Sequence, residues 1–397
     1  MKGVSTRERL TSRLRTVWPE PLPLEVGRLP RRSGSEGEEY LVLPRMSNPV
    51  MLLPAASVGA AGALARPDEG QRAPALNRAL RLAQERGMLR LAPGLARVVV
   101  PGREGLIATF RRLVPEADAV VVRLGRPRPG RAVVLQALDP DGRTVAFAKC
   151  GRGEAIDTLR AERDHLHELA EHPVPGLTPP PVIGWSEDAG AAVLCLGPLT
   201  PVRPGSANGV PVSAMRALST RNGRRNPVPF RETPLLRRLR MRADELTATS
   251  PDAGWLAVSA TRLAERYAAQ PVTVGSWHGD WVPWNMTRDG EQVLMWDWEH
   301  FEDDVLAGFD HLHYLAQTRR MRDGTEPSVE DAWLAESRAA MASDWGMTDT
   351  ETEASIAAYL VLVNERYVAD RVGAREQQPD RAGWSRDLLD RLLRGSP

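Results

Sequence analysis

His278-Gly279-Asp280-Trp281-Val282-Pro283-Trp284-Asn285 is followed, twelve residues beyond Asn285, by Asp297 within Met295-Trp296-Asp297-Trp298-Glu299-His300. Between them, Met286–Thr287 and Val293–Trp296 read as two short strands around the turn sequence Arg288-Asp289-Gly290-Glu291. A hairpin there brings Asn285 and Asp297 to adjacent strand ends. An amide and a carboxylate so placed supply the hard oxygen ligands that a magnesium ion takes. Asp280 sits in a loop whose tight geometry Gly279 and Pro283 help to fix.

Upstream of this stretch the chain is rich in strands. Ala119–Leu124, Ala132–Leu138 and Thr144–Lys149 read as three strands, the first two separated by the turn GRPRPG at 125–130. A helix follows from about 154 to 172, and then a buried strand, Ala191–Leu196, that ends at Gly197-Pro198. Beyond Pro204 strand patterns nearly vanish and helical ones take over, at about 234–247, 253–269, 329–343, 352–369 and 384–394. Earlier still, Tyr40–Leu43, Val50–Leu53 and Arg97–Val100 are short apolar runs each followed by proline, as in short or edge strands. Leu76, Ala79, Leu80 and Ala83 mark a helix that Gly87 would end. Residues 39–115 therefore read as a small α/β extension, and the polar, Arg- and Pro-rich residues 1–38 as a loosely ordered leader.

The composition narrows the function. With 397 residues and a formal charge of +1, the chain is too long for one ordinary domain and has no basic excess with which to bind nucleic acid. Two cysteines, Cys150 and Cys195, make neither a disulfide framework nor a thiolate zinc site. The N-terminal segment lacks the apolar core of a signal peptide, and the apolar stretch 50–65 is too short and interrupted to span a membrane. A cytoplasmic protein is the expectation, and the high Arg and Pro content resembles proteins of GC-rich bacteria. Of 52 basic side chains, only Lys2 and Lys149 are lysines. A chain that writes arginine almost everywhere has kept one internal ammonium, a compact point charge where arginine is a planar fork.

The HGDxxxxN motif, the short hairpin and the DWE that follows resemble the signature of aminoglycoside phosphotransferases and choline-kinase-like enzymes, over about residues 116–397. The resemblance implies an α+β, two-lobed protein-kinase-like fold: an antiparallel-sheet lobe over 116–199 with a hinge near 194–199, and a helical lobe over 200–397. That lobe would carry a catalytic loop at 278–285 and a metal-binding hairpin at 286–299. It implies transfer of the γ-phosphate of Mg-ATP or Mg-GTP to a hydroxyl of a small-molecule acceptor. In that scheme Asp280 resembles the catalytic base, and Asn285 and Asp297 the magnesium ligands. Lys149 resembles the lysine that reaches the nucleotide phosphates, with a glutamate of the next helix as its partner. Leu159, Leu166 and Leu169 define an apolar stripe, and Glu162 falls on it. A carboxylate there needs a partner, and Lys149 is the natural one. Leu194 and Leu196 stand where the family's hinge backbone meets the base. The backbone of Gly125 and Gly130 would cover phosphates, although Pro127 and Pro129 remove donors. His278 reads as a brace of the loop. Asp310 resembles the acid that binds the loop backbone. Glu299 is either a metal or substrate contact or a structural acid.

Other features carry alternatives. His311 and His313, at i and i+2 of a helix, face apart and make no metal pair, and the same holds for His165 and His167. The Arg-rich stretch 216–242 offers either an anion site or a solvated face, while the run Glu299, Glu302, Asp303, Asp304 offers the opposite charge to a cationic acceptor. Five of the eleven tryptophans, 277, 281, 284, 296 and 298, lie in the motif region and read as packing walls. Two other functions stay open: a pseudokinase-like binding module whose first 115 residues do the work, and a kinase that modifies a peptide or protein.

Overall fold

The computed structural model describes residues 5–22, 24–27, 37–64, 74–92, 94–101, 105–124, 132–202, 209–223, 226–324, 327–373 and 383–394. The class is α+β, and the chain divides into two units. One comprises Met1–His167 with Pro180–Leu199, the other Glu168–Pro179 with Thr200–Pro397. Among the described residues no helix is long and apolar enough to cross a membrane.

The first unit is built on a sheet. Its strands begin with β1 (Glu25–Gly27), β2 (Gly37–Arg45), β3 (Asn48–Pro54), β4 (Arg97–Pro101), β5 (Ala119–Arg123), β6 (Val133–Leu138) and β7 (Thr144–Arg152). After β8 (Leu177–Thr178), which belongs to the second unit, come β9 (Val182–Asp188) and β10 (Ala191–Leu196). Among the described residues these form one nine-stranded sheet, ordered β1-β4-β2-β3-β5-β6-β7-β10-β9, with every pairing antiparallel. Strand alternation sends Tyr40, Val42 and Val122 into one apolar cluster and Leu41, Leu43 and Val121 into another. Both faces are covered, which is why these strands read as continuous apolar runs. Helices α1 (Thr6–Leu14), α2 (Pro74–Glu85), α3 (Gly105–Leu113) and α4 (Ala155–Glu171) complete the unit, the last residues of α4 passing to the second.

Three sequence expectations are corrected here. Residues 39–115 are not a separate extension: β3 pairs with β5 through Met51↔Arg123 and Leu52↔Val122, so β1 to β4 continue the same sheet. Nor is β2 an edge strand. It lies between β4 and β3, and Pro44 falls at a register irregularity, where the ladder does without its missing N–H. Residues 1–38 hold more than a loosely ordered leader. Ser5 and Glu8 close a capping box on α1, and Leu10, Leu14, Val17 and Trp18 are buried against Tyr40 and Phe110. Burial of each such side chain stabilises by about 1.5–3 kcal/mol, enough to hold the segment on the sheet. The Val17 carbonyl accepts from Leu106 N at 2.9 Å, and a Cβ at Gly105 (φ +71°) would run into that carbonyl.

The second unit is mainly helical: α5 (Val212–Ser219), α6 (Pro234–Thr249), α7 (Gly254–Tyr267), α8 (Phe309–Asp323), α9 (Pro327–Trp345), α10 (Asp349–Gly373) and α11 (Gly383–Arg394). Helix α10 is buried without a break from Ala354 to Asn364, as expected of a helix that is apolar all round and lies inside a bundle. Short strands are threaded between the helices. β11 (Val228–Pro229) pairs with β12 (Pro271–Val272), and β13 (Val274–Trp277) pairs with β16 (Glu302–Leu306). β14 (Met286–Asp289) and β15 (Gln292–Met295) form a hairpin with Met286↔Met295 in register, and β8 runs parallel to β15. The quoted motif thus starts where β13 ends and continues into the hairpin.

Candidate active site

The loop after β13 is stapled from beneath. His278 is fully buried, and its Nδ1 accepts from Asp280 N at 3.2 Å. A backbone N–H only donates, so Nδ1 carries a lone pair and Nε2 donates to the Trp296 carbonyl at 3.2 Å. Burial lowers the imidazole to about 4 against the pull of Asp280 and Asp297, so the ring is neutral in this role. Trp298 packs edge-on to it with centroids 4.7 Å apart, and Trp281 at 6.2 Å. Asp310, at the start of α8, accepts from His278 N at 2.8 Å and Gly279 N at 3.1 Å. Burial pushes its carboxyl up to about 7 against those two donors and Arg366. Gly279 has φ +82°, and a Cβ there would run into the His300 carbonyl, so the loop requires glycine.

Asp280 leaves this brace with its carboxylate a third exposed. Oδ2 accepts from Asn285 Nδ2 at 2.9 Å, and Oδ1 lies 3.1 Å from His313 Nε2. Burial alone would raise this carboxyl, but the hydrogen bond from His313 and the pull of the surrounding side chains outweigh it and hold the group well below the usual carboxylate range. Asp280 is therefore ionised at neutral pH.

The hairpin joins Asn285 and Asp297. Trp296 N donates to the Asn285 carbonyl at 3.0 Å, one residue before Asp297. Asn285 Nδ2 also donates to the Asp280 carbonyl at 3.1 Å, which fixes the amide and leaves Oδ1 as the atom available to a cation. Asp297 adopts φ +72°, ψ +59°, left-handed backbone that Asp tolerates better than most residues but that still costs about 1 kcal/mol or more. Among the described residues no group of three or more His, Cys, Asp or Glu could hold a metal by itself. One amide oxygen and one carboxylate fit magnesium, which completes its shell with phosphate oxygens and water. Glu299 is largely buried and lies 3.7 Å from His300 Nε2.

In the first unit, Lys149 and Glu162 meet as the stripe predicts. Lys149 lies in β7 between β6 and β10, and its Nζ donates to Glu162 Oε1 at 2.7 Å and Oε2 at 2.8 Å. The Glu162 side chain is fully buried beside Leu159, Leu166 and Leu169, while that of Lys149 keeps 11% exposure. Leu194 pairs with Lys149 on one side and Trp185 on the other, so it stands inside the sheet. The register shifts between Cys195 and Leu196, and Gly197 N donates to the Pro181 carbonyl at 2.8 Å as the chain leaves the ladder. Gly125 and Gly130 lie outside the described residues.

Two contributors escape a motif reading. Arg366 of α10 donates to the Gly279 carbonyl at 2.8 Å and to Glu302 at 3.3 Å, with its guanidinium 4.6 Å above the Trp277 ring. His313 reaches Asp280, while His311 turns the other way and accepts from Trp345 Nε1 at 3.2 Å. The pair does face apart, as expected, yet one member faces the loop. The Arg-rich stretch and the acidic run largely answer each other. Arg221 binds Asp303 at 3.0 Å and Glu168 at 2.7 Å, and Arg238 binds Glu302 at 2.8 Å. Trp277, Trp281 and Trp298 are buried walls, as their packing reading predicts.

No family model and no curated protein matches the chain. Among solved structures it is similar to a thermostable mutant of aminoglycoside phosphotransferase APH(4)-Ia in ternary complex with AMP-PNP and hygromycin B, at 11% identity over 73% of this chain and 97% of that one, with TM-score 0.47. It is also similar to a putative fructosamine-3-kinase from Haemophilus somnus, at 12% identity over 72% and 95%, TM-score 0.42. A third is amicoumacin kinase hAmiN in complex with AMP-PNP, Ca2+ and Ami, at 13% identity over 73% and 91%, TM-score 0.39. At such identities residue roles do not transfer, and the chemistry rests on this chain's own side chains.

Proposed function

We propose that the protein is a small-molecule kinase that transfers the γ-phosphate of a magnesium-bound nucleoside triphosphate, ATP or GTP, to a hydroxyl acceptor. The observation that carries this reading is the constellation Asp280–Asn285–Asp297: an ionised, partly exposed carboxylate held by the Asn285 amide, with the Asn285 backbone bonded to Trp296, the residue before Asp297. Asp280 orients the acceptor hydroxyl and takes its proton as that oxygen bonds to the γ-phosphorus and the bond to the bridging oxygen breaks. A carboxylate held this low is a weak base, which suits a loose transition state where deprotonation comes late and positioning matters most. Asn285 and Asp297 would hold magnesium, which would supply neutralisation of charge on the phosphate oxygens. Lys149, held by Glu162, supplies the ammonium for the nucleotide phosphates.

The alternative, a binding module whose first 115 residues work apart from a kinase-like scaffold, is less well supported, because β1 to β4 share the sheet that carries Lys149. The test is calorimetric titration with Mg-ATP and Mg-GTP. Asp297→Ala is expected to lose the magnesium-dependent part of nucleotide binding while the protein stays folded. Equal affinity with and without magnesium in the wild type would overturn the metal assignment.

A further inference from the structure

Asp280 Oδ2 is held by Asn285, but Oδ1 is held by a residue outside the motif. His313 Nε2 lies 3.1 Å from it, and His313 Nδ1 lies 3.1 Å from the Tyr359 hydroxyl. The ring has little room to turn. It is buried, with Trp277 edge-on at 6.4 Å and 89° and Tyr359 at 6.1 Å and 76°. Tyr359 is itself fully buried in α10 against Phe309 at 5.8 Å and Trp333 at 6.0 Å. An ionised carboxylate only accepts, so Nε2 must be a donor and the tyrosine hydroxyl completes the other nitrogen. The line Tyr359–His313–Asp280 thus runs from the bundle core to the exposed carboxylate.

We propose that His313 is a positioning residue for Asp280 and that Tyr359 fixes its ring, an assignment that rests on the kinase reading. Asn285 and His313 together fix the rotation of the carboxylate, because each oxygen has its own donor. The acceptor hydroxyl then meets a carboxylate already oriented, with no ordering left to occur at the reaction. Without His313, Oδ1 is free to swing, and buried Tyr359 loses its partner.

The experiment follows ADP release from Mg-ATP with water as acceptor, in variants His313→Leu, His313→Gln and Tyr359→Phe. Leu keeps apolar bulk and removes the donor; Gln restores a donor at the reach of Nε2; Phe keeps the ring of residue 359. His313→Leu is expected to lower kcat roughly 10- to 100-fold with the KM for Mg-ATP within about twofold, because only orientation is lost. His313→Gln is expected to recover kcat to within about threefold of wild type. A His313→Leu variant with wild-type kcat overturns the proposal. So does a Gln variant as slow as Leu. If the Leu variant does not fold, Tyr359→Phe decides: lowered kcat at unchanged KM supports the proposal, and wild-type kcat overturns it. A wild-type chain that neither binds nor hydrolyses Mg-ATP removes the kinase reading and this proposal together, whereas active wild type beside an unaffected Leu variant removes this proposal alone.

Discussion

The lone internal lysine is the sharpest residue-scale feature. Every other internal cation is arginine, yet the partner of buried Glu162 is Lys149, with both carboxylate oxygens within 2.8 Å of Nζ. A guanidinium there would bring a planar fork where the chain has a compact ammonium. Lys149→Arg keeps the charge and is expected to raise the KM for the nucleotide at least about tenfold, since planar fork and point charge are not interchangeable at a shaped phosphate site. Steady-state kinetics in Mg-ATP checks it; unchanged kinetics would return the lysine to coincidence. This pair was legible because an apolar stripe singles out one carboxylate and composition singles out one ammonium. His313 was not. Its relation to Asp280 spans 33 positions, and helix spacing says only that it faces away from His311. Arg366 is hidden for the same reason, 87 positions from the carbonyl it binds.

At the scale of an element, the catalytic loop is a turn pinned by two groups of opposite pH behaviour. Asp310 is raised from 3.8 to about 7, so its contribution to stability is fully present below about pH 4 and is lost as pH rises through 7. His278 is lowered from 6.5 to about 4, so its contribution is present above 6.5 and is lost as pH falls through 4. Between about pH 4 and 6.5 the two slopes oppose each other. Asp310→Asn removes one of them and also one acceptor for the loop N–H groups, a loss of about 1–3 kcal/mol at any pH. Urea unfolding of the variant should therefore show stability rising more steeply with pH than in wild type, with the gap between the two wider at pH 4.5 than at 7.5. A gap that grows with pH would contradict the assignment. The hairpin itself was readable from two short runs around the turn sequence Arg288–Glu291, while its register, Met286↔Met295, carries the ladder further in, to Asp289↔Gln292. The left-handed backbone of Asp297 was not, because no local sequence signal demands φ > 0 at a non-glycine residue.

At the scale of the whole molecule, the succession of a strand-rich part and a helical part followed from periodicity, while the strand order of the sheet and the standing of the first 115 residues did not. Arginine and proline mask the spacing of Leu10, Leu14 and Trp18, and no sequence pattern tells which strand β3 will pair with. The structure assigns β1 to β4 to the sheet of Lys149 and packs Leu10, Leu14 and Trp18 in one apolar cluster with Val120, Val122 and Ala148. A chain beginning at residue 116 would expose that cluster and leave β5 as an open edge. It is expected to lose its near-ultraviolet circular dichroism and its cooperative thermal transition. A truncated chain that melts cooperatively at the wild-type temperature would show the extension to be dispensable.

The central claim is that Asp280 serves phosphoryl transfer to a hydroxyl. Its most direct measurement is magnesium-dependent ADP release over a panel of hydroxyl compounds (aminoglycosides, sugars and amino alcohols), comparing wild type with Asp280→Ala. The account predicts at least one acceptor that stimulates release in wild type, and loss of that stimulation in the variant with nucleotide binding retained. Stimulated turnover that survives in Asp280→Ala would contradict it.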